Sequence, residues 1–108
     1  MKITTIFDGD LSSSELRSNS VAIFPRVNCV LLITYEKGAE ASINIEPRVS
    51  SFALLNSDGS LSSMTISQSG KFAWKLGEVS PLLDFNITVN DFTGSEFGHL
   101  KLEVLENV

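Results

Sequence analysis

The sequence is poor in the residues that most often carry enzyme chemistry. Its 108 residues include one cysteine, Cys29, and one histidine, His99. One cysteine excludes an internal disulfide, and this pair falls short of the several His or Cys ligands that a transition-metal site needs. Strand alternation places His99 on a polar face with Lys101 and Glu103, and Cys29 on a core face. We therefore predict no catalytic residues, no metal and no cofactor.

Basic residues are also scarce. Eight Lys and Arg residues stand against thirteen Asp and Glu residues, for a net charge of −5. They are scattered singly, whereas proteins that bind a nucleic-acid backbone use clustered Lys and Arg to displace counterions. No apolar run approaches the roughly 18 residues that span a bilayer, and residues 1–8 lack the apolar stretch of a signal peptide. We expect no direct contact with nucleic acid or membrane, and folding in a reducing cytosol.

Carboxylates are present, but their spacing predicts no ion site. We expect the carboxylates of Asp8, Asp10, Asp58, Asp84 and Asp91 to lie in turns or loops. None falls at EF-hand spacing, so turn formation or solvation is preferred over calcium binding. The glutamate pairs Glu36 with Glu40 and Glu103 with Glu106 are expected to be ordinary surface charge.

Period-two alternation of apolar and polar residues is the strongest positive signal. It predicts half-buried antiparallel strands. The clearest strands are predicted at residues 29–36, 41–46, 71–76, 83–89 and 99–104, and weaker ones at 2–7, 21–24, 51–55 and 61–67. About eight strands at roughly ten-residue intervals favour an all-β, two-sheet antiparallel β-sandwich, with the jelly roll as one form of it.

The polar stretch from Asp8 to Ser20 divides the predicted organisation. We expect an N-terminal strand and polar arm at residues 1–20, with the sandwich domain at 21–108. Phe72, Trp74 and Phe85 each share a strand face with aliphatic residues, which indicates core packing. Phe92, in a loop, is the best candidate for an exposed aromatic, and one ring is too little for a sugar-binding platform.

Two stretches resemble a known class of proteins. Residues 30–45 carry an apolar strand that ends in Tyr35, a Lys37-Gly38 turn and an alternating strand. Residues 83–96 carry an alternating strand that enters a Gly- and Thr-rich turn. Both resemble hairpins of small bacteriophage virion β-sandwich proteins of the head-decoration (cement) or neck and tail accessory type. The resemblance covers about a third of the chain.

The resemblance implies a non-enzymatic structural protein that decorates and stabilises a phage capsid. It implies synthesis in the bacterial cytoplasm, a location in the virion, contact with the major capsid protein or another virion protein, and assembly as a homo-oligomer. Possible partner contacts are Ile3, Ile6, Phe7 and Phe92. The alternative is a ligand- or carbohydrate-binding module of a phage tail or cell-surface protein, and an enzyme ranks third.

Overall fold

The computed structural model describes residues 1–107, which form ten β-strands. The strands are β1 (Lys2–Asp10), β2 (Glu15–Arg17), β3 (Val21–Ala22), β4 (Asn28–Glu36), β5 (Ser42–Val49), β6 (Phe52–Ala53), β7 (Met64–Ile66), β8 (Gly70–Glu78), β9 (Leu82–Asn90) and β10 (His99–Asn107). Among these residues, no helix has the length and apolar character needed to cross a membrane.

The strands form two antiparallel sheets. The first sheet has the order β1-β10-β4-β8. The second is built on the pair β9 and β5; β2 and β3 pair with the free side of β9, and β6 and β7 with the free side of β5. The predicted all-β, two-sheet antiparallel sandwich is therefore confirmed.

Alternation along the long strands fills the space between the sheets. The inward side chains of β4, β5, β9 and β10 are almost all buried, and burying one such side chain contributes roughly 1.5–3 kcal/mol. Phe85 is fully buried, as predicted, and Cys29 lies on the core face. Burial raises the pKa of the Cys29 thiol, and the negative charge of Glu106 raises it further.

The N-terminal segment is part of the sandwich rather than a separate arm. β1 pairs with β10 along its length, and β2 pairs with β9 in the opposite sheet. Ile6 and Leu11 are 1% and 0% exposed. The prediction of an arm at residues 1–20 therefore differs from the structure. Of the polar residues that suggested a loop, Asp8 and Asp10 lie on solvent-facing positions of the edge strand β1, where polar side chains are compatible with strand pairing. Glu15 and Arg17 lie on exposed positions of β2, and the others lie in the connections, where Ser18 is buried.

Neither segment that resembled a phage hairpin is a hairpin. Residues 30–45 run from β4 in the first sheet to β5 in the second, and residues 83–96 run from β9 in the second sheet towards β10 in the first. Both turns therefore cross between sheets. Turn composition indicates where a chain reverses, but it does not indicate which sheet receives the next strand.

These two crossovers meet around a buried carboxylate. Glu40 is only 2% exposed, and its Oε1 accepts hydrogen bonds from the Tyr35 hydroxyl (3.4 Å) and the Gly38 backbone N–H (3.0 Å). A Cβ at Gly98 would overlap Glu40 Oε1 and lie 2.5 Å from the Glu36 carbonyl oxygen, so the close approach requires glycine. The prediction that Glu40 is surface charge is wrong. It is also wrong for Glu106, which is only 4% exposed on β10.

This arrangement predicts a loss of stability at alkaline pH. Burial, followed by the charge of Glu40 and the hydrogen bond to it, raises the pKa of Tyr35 from 10.0 to about 12. Because the folded state holds the phenolic proton more tightly, this contribution is fully present below about pH 10 and is lost as pH rises towards 12. Tyr35 is the only tyrosine, so tyrosinate absorbance reports its titration directly.

Denaturant unfolding across pH 9–12 checks this expectation. The Tyr35→Phe variant should lose less stability than the wild type over the same range. A tyrosinate titration centred near pH 10 in the folded protein would contradict the expected shift.

Candidate functional site

A groove of about 550 Å³ opens at one edge of the sandwich, between β7 of the second sheet and β8 of the first. Its apolar lining consists of Ile33, Met64, Ile66, Phe72 and Trp74. Polar side chains at its rim are Thr65, Ser67, Gln68 and Lys71. The volume lies within the range usual for small-ligand clefts, which are mostly apolar with a few polar groups.

The groove exists because the two edge strands are unequal in length. β8 spans nine residues, whereas β7 spans only three. Phe72 and Trp74 stand opposite Ile33 and Leu31 in the register of β8 with β4, so they face the space between the sheets. The short β7 does not cover them completely. As a result, Phe72 is 40% exposed and Trp74 is half-buried.

The core assignment of these two aromatic residues therefore needs correction. Their predicted strand face is right, and Trp74 does pack against the core cluster. The prediction that Phe72 is a core residue is wrong, because β8 is an edge strand and the facing strand is short.

The connection between β7 and β8 closes one end of the groove. This loop, residues 67–69, is held by Lys37 from the neighbouring crossover. The Lys37 backbone N–H donates to Ser69 Oγ (2.9 Å), and Lys37 Nζ donates to the Ser67 carbonyl oxygen (3.3 Å). The polar end of the groove therefore has a fixed backbone beside the aromatic side chains.

Sequence reasoning did not identify the polar groove residues. Thr65, Ser67 and Gln68 lie in a stretch interpreted as a weak strand followed by a turn. The sequence predicted a strand over residues 61–67, whereas β7 spans only three residues, so the uncovered part of β8 could not be anticipated. A short strand beside a long one leaves part of the long strand uncovered if the two lie at the same edge, and that placement is a tertiary property.

The predicted partner contacts do not form one surface. Ile3 is exposed on β1, whereas Ile6 is buried and Phe7 packs partly against the core. Phe92 lies in the β9–β10 crossover and stacks on Phe97 with ring centroids 6.0 Å apart. Their role in binding a partner stays a prediction.

His99 lies on the solvent-facing side of the first sheet, as predicted. Its Nε2 is 2.7 Å from Asp8 Oδ1, and its Nδ1 is 3.2 Å from Asp10 Oδ1. The three side chains tie β1 to β10. Hydrogen bonds to Asp10 and then Asp8, followed by their negative charges, raise the pKa of His99 above 6.5.

The pKa of His99 should respond to both carboxylates. In an NMR titration of the single histidine, Asp10→Asn and Asp8→Asn should each lower its pKa. Because folding raises the pKa of His99, the pairing of its protonated ring with the two aspartates stabilises the folded protein. This stabilisation is fully present below about pH 6.5 and is lost as pH rises through the raised pKa. The effect should weaken at high salt, since the groups are exposed.

His99→Gln serves as the stability control, because it removes the titrating group and should abolish this part of the pH dependence. A histidine pKa that is unchanged in both aspartate variants would contradict the assigned pairing.

Comparison with known proteins gives information on the fold only. No protein-family model and no curated protein matches the sequence. Two solved structures are similar in fold. The CBM36-1 domain of a multidomain xylanase from the hindgut metagenome of Trinervitermes trinervoides is 7% identical, with a TM-score of 0.48, and the match covers 99% of this chain and 98% of that one. A carbohydrate-binding module CBM36 in complex with calcium and xylotriose is 9% identical, with a TM-score of 0.44, and the match covers 99% and 93%.

These findings correct the hypothesis of a phage virion protein. The two structures named above are carbohydrate-binding modules, and neither is a virion component. The two segments on which the phage resemblance rested are crossovers rather than hairpins. The main hypothesis of a capsid-decorating protein is therefore wrong.

One of these modules is named as a complex with calcium, an ion that proteins hold with oxygen ligands. Within residues 1–107, no three or more His, Cys, Asp or Glu side chains are grouped so that they could hold a metal ion. Asp84 forms an ion pair with Arg17 (3.2 Å), and Asp58 accepts hydrogen bonds from Ser60 within its own turn.

Proposed function

We propose that this protein is a non-catalytic carbohydrate-binding module whose ligand lies in the groove between β7 and β8. The observation that supports this proposal is the pair of incompletely covered aromatic rings, Phe72 and Trp74, beside a polar rim.

The aromatic residues suit the apolar faces of sugar rings. Phe72 and Trp74 are two positions apart on one strand face, which separates their Cα atoms by about 6.5 Å along the strand. The face of an aromatic ring is electron-rich, so it attracts the C–H groups that line one side of a pyranose. Stacking on both residues would cover apolar surface that the fold leaves exposed.

The polar rim supplies the complementary hydrogen bonds. Gln68 offers both a donor and an acceptor group, Lys71 offers donors, and Ser67 offers a hydroxyl group. The Thr65 hydroxyl already accepts a hydrogen bond from Asn44 Nδ2 (3.0 Å) and keeps its own proton to donate. Sugar hydroxyls donate and accept, so they match this mixed set. Lys37 fixes the backbone of the adjoining loop in the free protein. Ligand binding therefore costs less conformational entropy than it would if the loop had to become ordered.

Calorimetry with soluble neutral polysaccharides, such as xylan, β-glucan and mannan, tests the proposal. Phe72→Ala should weaken binding at least tenfold, or about 1.4 kcal/mol, because it removes one stacking surface. Phe52→Ala is the matched control, since Phe52 is 77% exposed and lies outside the groove. This control variant should bind like the wild type.

The emission of Trp74 provides an independent measurement, because it is the only tryptophan. A ligand that stacks in the groove should change its intensity or wavelength in a saturable manner. Absence of any change with all of the polysaccharides, or equal affinities for Phe72→Ala and Phe52→Ala, would overturn the proposal. Assembly as a homo-oligomer and the lack of direct nucleic-acid contact stay predictions.

A further inference from the structure

A second concave surface lies on the outer face of the second sheet. It is a trough of about 340 Å³ that follows β9 between β2 and β5. Asn86 and Thr88 form its floor on β9. Longer side chains form its walls, with Glu15 and Arg17 on β2 and Glu46 on β5. The trough therefore arises because the short side chains on β9 lie lower than the longer side chains of Glu15, Arg17 and Glu46 beside them.

Strand register places these side chains in rows across the sheet. Asn86 stands opposite Arg17 on one side and Glu46 on the other. Thr88 stands opposite Glu15 in the next row. Because alternate residues of a strand point to the same face, the two rows lie side by side on the outer surface.

Ion pairs and hydrogen bonds hold the walls in position. Arg17 Nε lies 3.2 Å from Asp84 Oδ2, and Arg48 Nη2 lies 3.3 Å from Glu46 Oε1. With its amide oxygen turned towards Arg48, Asn86 accepts hydrogen bonds from Arg48 Nε (3.2 Å) and Nη2 (3.0 Å). Long side chains that are already ordered lose less conformational freedom when a ligand binds.

The charge and chemistry of the trough indicate what it can hold. Glu15, Glu46 and Asp84 carry three negative charges, and Arg17 and Arg48 carry two positive charges. This near balance gives no net attraction for a polyanion. No aromatic ring is among the lining residues described, whereas carboxylate, guanidinium, amide and hydroxyl groups all are. Such a mixed set of donors and acceptors fits a neutral ligand that presents several hydroxyl groups.

We propose that this trough is a second glycan-binding site, which recognises a neutral sugar through hydrogen bonds rather than stacking. It shares the ligand class of the proposed function but occupies a different surface, separated from the aromatic groove by β5 and β7. Two sites on one module raise the avidity for a polysaccharide, because binding at one site increases the effective concentration at the other.

NMR titration with neutral hexasaccharides of xylose, glucose and mannose tests the inference. At least one of them should shift the side-chain amide resonances of Asn86 in a saturable manner. Thr88→Arg, which fills the floor of the trough at an exposed position, should weaken this response at least tenfold. Thr5→Arg introduces the same change at an exposed position of β1 in the other sheet and should leave the response unchanged.

The two sites are measured separately, the trough by the Asn86 resonances and the groove by the emission of Trp74. No shift at Asn86 with any hexasaccharide, or equal responses in Thr88→Arg and Thr5→Arg, would overturn the second site. Equal affinity for a galacturonate hexasaccharide would overturn its assignment to neutral sugars. Failure of the groove would instead appear as unchanged Trp74 emission while the Asn86 resonances still shift.

Discussion

The contact between the two sheets is the interaction on which the other features depend, and its extent differs between the two edges. At the β1 edge the chain itself completes the contact. Leu11 is fully buried there, and the Asn19 backbone N–H donates to the Ile6 carbonyl oxygen (2.8 Å). At the β8 edge a three-residue strand faces a nine-residue strand, so the contact stops before Phe72 is covered. The aromatic groove is therefore the part of the core edge that the second sheet leaves uncovered.

The same alternation that fills the core also shapes the opposite surface. Each buried residue of β5 and β9 is followed by a residue whose side chain points outwards. The lengths of these outward side chains determine the shape of the sheet's outer surface. Short Asn86 and Thr88 between longer Arg17 and Glu46 make a hollow on a face that would otherwise be flat. The two candidate sites thus differ in both origin and chemistry. The apolar groove comes from unequal strand lengths at the edge, and the polar trough comes from unequal side-chain lengths on the face.

Most strand positions and faces followed from sequence periodicity, because burial on one face imposes a period of two. Periodicity does not show which strands pair with, or pack against, one another. It placed Phe72 on the inward face but could not show that the strand opposite is short. The turns after Tyr35 and Asn90 were recognised, yet their crossing between sheets was not. Glu40 is charged and follows a turn, so its burial depended on the tertiary approach of Gly98.

The construction of β8 favours a small ligand over a docked strand. An exposed edge strand invites pairing with another chain, and natural edges prevent it with lysines and bulges. β8 has both features, with outward-facing Lys71 and Lys75 and a bulge where its register with β4 shifts beside Gly77 (φ 76°). The main-chain edge is therefore protected, while Phe72 and Trp74 stay accessible from the groove. A ligand that stacks on side chains needs no backbone pairing, so it can occupy this edge without the aggregation hazard that an unprotected strand would bring.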